Sequence, residues 1–277
     1  MSVLEVEFSD GIALVRLNRP DARNALNPEL IVALANCWAQ LQADADVRVV
    51  VLTAAMGSTF CAGFDLARYI PLLTGVREPE DDWDRAVVED PGLAAKATLR
   101  DTDLGRPLIV AANGHAIAGG MEMLLAGDLR VVATGARLGL SEVKLGLIPG
   151  MGGTARLARL VAPALAAEML LTGNPIDADG ALAAGLVNYV VGAEKVEEVA
   201  LELAATIAAN APLAVQAARK VMRQAADLSE AEALALESAE VTKVAATEDA
   251  QEGPRAFMEK IFIIHSMKNP PPVFKGR

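Results

Sequence analysis

Cysteine and histidine are scarce in this chain. Its 277 residues include two cysteines, Cys37 and Cys61, and two histidines, His115 and His265. Two cysteines cannot build a disulfide framework, so a reducing compartment, the cytoplasm, is the simpler expectation. These four side chains are widely separated and do not form a metal-ligand pattern, so the sequence predicts no metal site.

Aromatic residues and positive charge are also in short supply. Aromatics make up only 4% of a chain that is 53% hydrophobic, so alanine, valine and leucine must fill a sizeable core. Lysine and arginine number 25 against 36 acidic residues, which gives a net charge of −11. Phosphate contacts need clustered cations, so no nucleic-acid partner is expected.

No segment reads as a membrane span or a leader. The most apolar stretch, 107–127, is interrupted by Asn113, His115 and Glu122 as well as by glycines. The N-terminus is acidic and alternating, unlike a signal peptide. The glycines from Gly114 to Gly120 lack the spacing of a nicotinamide-binding turn. We therefore expect no membrane partner and no nucleotide cofactor.

The patterning favours an α/β fold followed by a helical region. Residues 3–8 and 12–17 alternate around Ser9-Asp10-Gly11, which predicts a hairpin. A helix is expected from Pro28, with Asn27 as its N-cap, to about Gln42. Another helix should open at Gly119. Buried strands are predicted at 48–53, 108–112 and 128–133.

Two segments depart from this alternation of strands and helices. Residues 74–91 are polar and contain proline, which predicts a mobile loop. Residues 193–259 are alanine-rich and helical throughout. We place the domain boundary at 195, with a core at 1–195 and a helical region at 196–277.

Two glutamates stand in segments that otherwise have little use for charge. Glu122 follows a glycine pair in Ala118–Leu125, and Glu142 follows Leu138-Gly139-Leu140-Ser141. A carboxylate on an apolar element costs several kcal/mol unless it is paired, solvated or neutral. Two carboxylates in unlike environments can move a proton and handle a water molecule.

Glycine-containing turns supply the second half of a possible site. They are Phe60–Asp65, Asn113–Gly120 and Gly146–Thr154. Small residues let backbone N–H groups face a ligand. One N–H from each of the first two turns could hold a carbonyl oxygen that becomes an oxyanion, with the dipole of a helix starting at Gly119 aimed at the same place.

At this point the chain resembles the enoyl-CoA hydratase/isomerase (crotonase) superfamily over nearly its whole length. The matching motifs occur in order: Asn18-Arg19-Pro20 with Asn24-Ala25-Leu26-Asn27, Phe60–Leu66, Ala116 with Gly119-Gly120-Met121-Glu122, Glu142 with Gly146–Thr154, Leu171-Thr172-Gly173, Ala184–Val187, and Glu252–Phe257. The resemblance implies an α/β crotonase-like spiral of repeated ββα units. It also implies a helical C-terminal region involved in oligomerisation, as a homotrimer or homohexamer.

The resemblance further implies an acyl-CoA thioester substrate, with coenzyme A part of the substrate and no separate cofactor. The thioester oxygen would accept N–H bonds from Ala62 and Gly119, and Glu122 and Glu142 would flank the double bond. Having both glutamates favours a hydro-lyase, an enoyl-CoA hydratase that adds water across C2=C3. The implied substrate-binding residues are Arg23, Ala25, Ala62, Gly63, Phe64, Asp65, Leu66, Gly119, Gly120, Phe257 and Lys260.

Several alternatives stay open. A double-bond isomerase would use the same site, as would a dehydratase of a functionalised acyl-CoA, and a catalytically silent member would bind acyl-CoA or a protein partner without turnover. Phe64 replaces the small residue usual in the family, so the acyl or pantetheine channel is expected to be reshaped. Asp65 reads as a helix N-cap, His115 as a turn or packing residue and Cys61 as a small buried residue.

Overall fold

The computed structural model describes residues 2–55, 57, 59–262 and 273–276, with side chains described up to residue 258 and again at 273–276. It divides the chain into two compact units. The first unit comprises 1–104 and 108–204, and the second comprises 105–107 and 205–277. The division after 204 falls nine residues beyond the boundary expected at 195.

The strands form two sheets. In chain order they are β1 (Leu4–Ser9), β2 (Ile12–Leu17), β3 (Val49–Ala54), β4 (Thr59–Cys61), β5 (Leu108–Ala112), β6 (His115–Ile117), β7 (Leu129–Ala133), β8 (Arg137–Gly139), β9 (Ile176–Asp177) and β10 (Tyr189–Val191). The larger sheet has the order β1-β2-β3-β5-β7-β10, and the smaller has the order β4-β6-β8-β9. β1 and β2 pair antiparallel, as the predicted hairpin requires, and the other pairs of the larger sheet are parallel.

The helices are α1 (Pro28–Ala43), α2 (Ile70–Leu73), α3 (Asp82–Glu89), α4 (Leu93–Ala97), α5 (Gly119–Ala126), α6 (Gly153–Leu160), α7 (Pro163–Thr172), α8 (Ala178–Ala183), α9 (Val196–Ala208), α10 (Pro212–Ala225), α11 (Glu230–Ala245) and α12 (Glu248–Phe262). Asn27 caps α1 as predicted, because its side chain accepts the N–H of Leu30 at 3.0 Å. The buried face of this helix includes Trp38, whose indole N–H donates to the carbonyl of Ala97 at 2.9 Å.

Successive ββα units of the first unit each add one strand to both sheets. β3 and β4, β5 and β6, and β7 and β8 are such pairs, with the first member in the larger sheet and the second in the smaller. In the smaller sheet β6 lies between β4 and β8, and both pairings are parallel. Because parallel strands end at the same edge of a sheet, the segments after β4, β6 and β8 leave the sheet side by side.

The segment 74–91 corrects the sequence prediction of a mobile loop. Residues Asp82–Glu89 form α3, and the side chain of Asp81 caps it by accepting the N–H of Asp84 at 2.8 Å. Asp84 is fully buried and accepts hydrogen bonds from Arg77 at 2.6 Å and from the backbone of Glu80 at 3.0 Å. An acidic run reads as solvated, but this carboxylate is neutralised by a cation from outside the helix.

The described part of the second unit is helical, as its composition predicts. Ser229 and Glu232 form a reciprocal capping box at the start of α11. α10 and α11 are also joined by an ion pair of Lys220 with Glu240 at 2.8 Å.

Candidate active site

Glu122 is buried on the first turns of α5. Its side chain is 1% exposed, and its Oε1 accepts hydrogen bonds from the N–H groups of Met151 at 2.6 Å and Gly153 at 3.0 Å. A Cβ on Gly153 would lie 3.0 Å from both Cγ and Oε1 of Glu122 and 2.8 Å from the side chain of Leu140. Glycine at 153 therefore lets the carboxylate reach the start of α6, where its charge also favours the helix dipole.

The environment of Glu122 disfavours its charge on balance. Burial raises the pKa of this carboxyl, whereas the two amide donors and the more distant charges of Arg156 and Arg100 lower it by less. A carboxylate fixed through one oxygen keeps the other available, so Glu122 can accept a further hydrogen bond from a water molecule or substrate.

Glu142 occupies a different setting, at the start of the short 3-10 helix Glu142–Leu145 that follows β8. Its Oε2 is buried and has no hydrogen-bond partner among the described residues. Burial and, to a lesser extent, the nearby charge of Glu122 raise the pKa of Glu142 to about 7, against the lowering effect of a hydrogen bond from its own backbone. At neutral pH this carboxyl is therefore divided between its neutral and charged forms.

Both glutamates border one cavity of about 340 Å³ within the first unit. Apart from the two glutamates its walls are apolar side chains, backbone, one serine and one tyrosine. The lining residues are Ala62, Phe64, Leu66, Tyr69, Ile70, Leu73, Ile117, Ala118, Glu122, Ser141, Glu142, Leu145, Leu147, Ile148, Gly150 and Met151. An apolar cavity with a few convergent polar groups is the usual form of a small-molecule site.

The start of α5 lies directly against the turn that follows β4. A Cβ on Gly120 would stand 2.2 Å from the carbonyl oxygen of Cys61, closer than any side chain can be. Gly63 has φ +95°, and a Cβ there would meet the Cβ of Ala118 at 2.7 Å. Ala118 itself has φ +51°, an uncommon value outside glycine, which turns the chain abruptly into the helix. These contacts hold two sets of backbone amides beside each other.

The structure corrects the choice of Ala62 as an amide donor. The N–H of Ala62 already donates to the carbonyl oxygen of Arg23 at 3.1 Å. Within the described residues the N–H groups of Phe64 and Gly119 donate to no acceptor. Phe64 forms a parallel bridge with Leu26, in which the neighbours of Phe64 make the hydrogen bonds and its own N–H faces away.

Alternation along the chain could not have indicated from sequence which of these amides is free. In an extended segment successive N–H groups point to opposite sides, so Ala62 and Phe64 would share a side only if the turn at Gly63 did not intervene. The positive φ of Gly63 reverses that pattern. Sequence alone also does not show that the carbonyl of Arg23 already uses the amide of Ala62.

The other predicted site residues fall into three groups. Leu66 lines the cavity, and Gly63, Gly119 and Gly120 build the close contact beside it. Asp65 is not the N-cap of a helix as predicted, because α2 begins only at Ile70 with Tyr69 as its N-cap; its Oδ1 closes the turn before α2 by accepting the N–H groups of Ala67 at 3.0 Å and Arg68 at 2.9 Å. Arg23 and Ala25 contribute carbonyl oxygens, which accept from Ala62 and from the guanidinium of Arg19 respectively.

Two predicted binding residues belong to the second unit. Phe257 lies on α12 and is 64% exposed. Lys260 falls in the same helix, but its side chain lies outside the described part of the structure.

Residues with chemically reactive side chains near the site have structural roles. Cys61 is fully buried, and burial raises the pKa of its thiol to about 12, so it is inert as a nucleophile. His115 Nδ1 accepts the backbone N–H of Arg137 at 3.0 Å, as expected for a packing residue. Across the described ranges, no group of three or more histidine, cysteine or acidic side chains could hold a metal ion.

Comparison with known proteins gives consistent results. The sequence matches the family model described as enoyl-CoA hydratase/isomerase over residues 7–263. It is 40% identical to an enoyl-CoA hydratase of Mycobacterium tuberculosis, over 92% of this chain and 93% of that protein. It is 38% identical to the 2,3-dehydroadipyl-CoA hydratase of Escherichia coli, over the full length of both.

The fold is likewise shared with solved structures. A crystal structure of an enoyl-CoA hydratase from Bacillus anthracis superposes with a TM-score of 0.86 at 34% identity, covering 99% of this chain and 100% of that one. The α/β crotonase-like fold expected from the sequence is thus confirmed. In the described part of the chain no single helix is long and apolar enough to cross a membrane. One bent pair of helices, Ala193–Ala208 with Pro212–Ala225, has the required length and apolar composition only when the two are taken together.

Proposed function

Since this chain belongs to the enoyl-CoA hydratase/isomerase family, we propose that it is an enoyl-CoA hydratase, a hydro-lyase that adds water across C2=C3 of a trans-2-enoyl-CoA. The observation that carries the proposal is the pair of glutamates on one apolar cavity, each with a raised pKa and a different set of partners. Two carboxyls with unlike environments can take the separate roles of base and acid.

The amides of Phe64 and Gly119 hold the thioester oxygen. Both N–H groups lack an acceptor in the described residues, and the contacts at Gly63 and Gly120 keep their segments together. As water adds to C3, negative charge moves onto this oxygen, where preorganised donors act most strongly. Loss of one such donor costs about 3–4 kcal/mol of transition-state stabilisation.

The glutamates divide the proton work. Glu122, fixed at Oε1 by two amides, accepts a hydrogen bond from the attacking water and orients it. Glu142 also contacts the water and, in its neutral form, delivers a proton to C2 as the oxygen of water bonds to C3. The proton that the water loses replaces the one that Glu142 has given, so the pair returns to its starting state.

The proposal also covers the substrate, the cofactor and the cellular compartment. The substrate is an acyl-CoA thioester, and hydration needs no cofactor beyond the coenzyme A that the substrate carries. The two cysteines are buried free thiols, which suits a reducing compartment such as the cytoplasm.

The test mixes the purified protein with crotonyl-CoA and follows loss of the conjugated enoyl-thioester absorbance. Glu122→Gln and Glu142→Gln should each lower kcat at least about a hundredfold. Glu168→Gln, which changes an exposed carboxylate on α7, serves as the matched control. Near-wild-type hydration by either site variant would remove that residue from the mechanism.

Product identity separates hydration from isomerisation. A 3-enoyl-CoA supplied instead should not be converted to a conjugated alkene at a comparable rate. Faster formation of the conjugated product than of the hydroxyacyl thioester would favour the isomerase.

A further inference from the structure

A second cavity lies behind the wall of the first. It measures about 240 Å³ and lies between α2, α3 and the segment that follows α3. Its lining residues are Tyr69, Leu72, Leu73, Val87, Val88 and Pro91. Tyr69 and Leu73 also line the cavity that holds the two glutamates, so these two side chains form the partition between the cavities.

Tyr69 is the fixed part of this partition. It is 6% exposed, whereas Leu73 is 62% exposed. The Tyr69 ring stacks on the ring of Phe64, with centroids 4.9 Å apart and planes inclined by 27°. Its backbone N–H donates to the carbonyl of Asp65 at 2.9 Å. Phe64 carries one of the two amides assigned to the thioester oxygen, so the partition stands close to the reacting end of the substrate.

The walls of both cavities select the chemistry of the acyl group. Among the described residues that line them, only Glu122 and Glu142 carry charge. A carboxylated or cationic acyl tail would be buried here without a counter-charge, which is costly. An uncharged hydrocarbon tail meets leucine, valine and isoleucine side chains at every step.

We propose that Tyr69 sets the acyl chain length, confining an uncharged hydrocarbon tail to the first cavity and closing its path to the second. This inference rests on the proposed function only in that the ligand is an acyl-CoA. With the ring removed, the distal methylenes of a longer tail occupy the second cavity. Each methylene that enters it should tighten binding about fourfold.

The experiment measures binding of saturated acyl-CoAs, which have no double bond to hydrate. Dissociation constants for butyryl-, hexanoyl-, octanoyl-, decanoyl- and lauroyl-CoA are obtained by calorimetry for the wild type, Tyr69→Ala, Tyr69→Phe and Tyr69→Ala with Val88→Trp. In the wild type and in Tyr69→Phe, which keeps the ring, the gain in affinity per added methylene should stop at a chain length within this series. In Tyr69→Ala the gain in affinity should continue to the longest chain. Adding Val88→Trp, which fills only the second cavity, should restore the chain length at which the gain stops.

The inference would be overturned if affinity rose equally with each added methylene in the wild type and in Tyr69→Ala. It would also be overturned if the added affinity of Tyr69→Ala for long chains survived Val88→Trp. Tyr69→Leu, which keeps a buried apolar side chain, replaces Tyr69→Ala if thermal melting shows the latter to be unfolded. Turnover of the matching trans-2-enoyl-CoAs is assayed alongside. An intact binding profile without turnover of any of them would reject the hydratase proposal while leaving the role of Tyr69 in place.

Discussion

At the scale of single residues, the site depends on a carboxyl kept near its midpoint of ionisation. Burial and the charge of Glu122 raise the pKa of Glu142 to about 7. The proposed mechanism uses the neutral form of Glu142, and kcat/KM reports the ionisation of the free enzyme. We therefore predict that kcat/KM falls above about pH 7, approaching tenfold per pH unit, and falls again on the acid side as Glu122 takes up a proton.

The profile is measured with crotonyl-CoA at constant ionic strength. Glu142→Gln should leave a low residual rate without the alkaline inflection, because the amide does not titrate. A wild-type rate that stays level to pH 9, or an inflection that persists in Glu142→Gln, would contradict the assignment of Glu142 as the proton donor.

Gly120 carries the second prediction at this scale. A Cβ there would lie 2.2 Å from the carbonyl oxygen of Cys61, a backbone atom that cannot rotate away. Gly120→Ala should push α5 from β4 and separate the amides of Phe64 and Gly119. We expect kcat to fall about a hundredfold or more, the magnitude associated with one lost oxyanion donor.

Gly57→Ala is the matched control for Gly120→Ala. Among the described residues its Cβ would meet only the carbonyl oxygen of Ala55, at 3.9 Å, an ordinary contact. Both variants are assayed for kcat and for thermal melting, so that loss of fold is recognised. Full activity in a folded Gly120→Ala protein would show that the close approach is not needed.

At the scale of elements, α3 is held in place by the buried Asp84. Arg77 donates to this carboxylate at 2.6 Å, and the pair holds the residues before α3 against the helix. Asp84→Asn should lower the free energy of unfolding by about 1–3 kcal/mol, because the guanidinium of Arg77 loses its buried counter-charge and keeps only the exposed carboxylate of Glu80, 3.2 Å away. Asp82→Asn, on an exposed side chain of the same helix, is the control.

The effect of Asp84→Asn should depend on pH in a defined direction. The hydrogen bond from Arg77 lowers the pKa of Asp84 below its ordinary value of 3.8. Its contribution is therefore complete above that value and is lost as pH falls through the folded-state pKa. Urea unfolding at pH 7 should show the difference between the variant and the wild type, and the difference should shrink below about pH 4. A constant difference would assign the effect to packing instead.

The elements predicted from sequence are those with a local signal. The hairpin, α1 with its cap, and the strands β3, β5 and β7 each carry alternation, a capping residue or a long apolar run. β4, β6 and β8 have only three residues each, too few to show periodicity; β4 and β6 fall in segments predicted to be glycine-containing turns, and no strand is predicted at β8. α3 was missed because the burial of Asp84 depends on Arg77, which lies outside the helix.

The residues of the candidate site also differ in whether the sequence alone identifies them. Glu122 and Glu142 could be selected because a charge in an apolar segment is visible along the chain. The amide donor could not be chosen, because the use of the Ala62 N–H by Arg23 is a contact between distant segments.

At the scale of the whole molecule, the repeat assembles the site. Phe64, Gly119 and Glu142 each lie two or three residues beyond the ends of β4, β6 and β8, which neighbour one another in the smaller sheet. The repeated ββα unit thus brings three residues that are far apart in sequence to one edge of the smaller sheet. Glu122 joins them because α5 begins directly after β6.

The family resemblance implies a trimer or hexamer formed through the helical second unit, and we propose that this chain assembles in that way. That unit exposes large apolar side chains, among them Met222 at 60%, Leu234 at 54% and Val241 at 61%. Met222 and Val241 line one apolar depression between α10 and α11, and a contiguous exposed apolar patch is typical of a surface that another protein covers. We expect light scattering to give a native mass of three or six chains, and Val241→Glu to shift it towards one chain, because a charge would be buried at the contact.

The control makes the same substitution in the first unit. Val76 is 82% exposed, and Val76→Glu should leave the native mass unchanged. If Val241→Glu and Val76→Glu assemble alike, the second unit does not form the contact through Val241. A wild-type protein that runs as a single chain across the concentration range of the hydration assay would reject the trimer and the hexamer together.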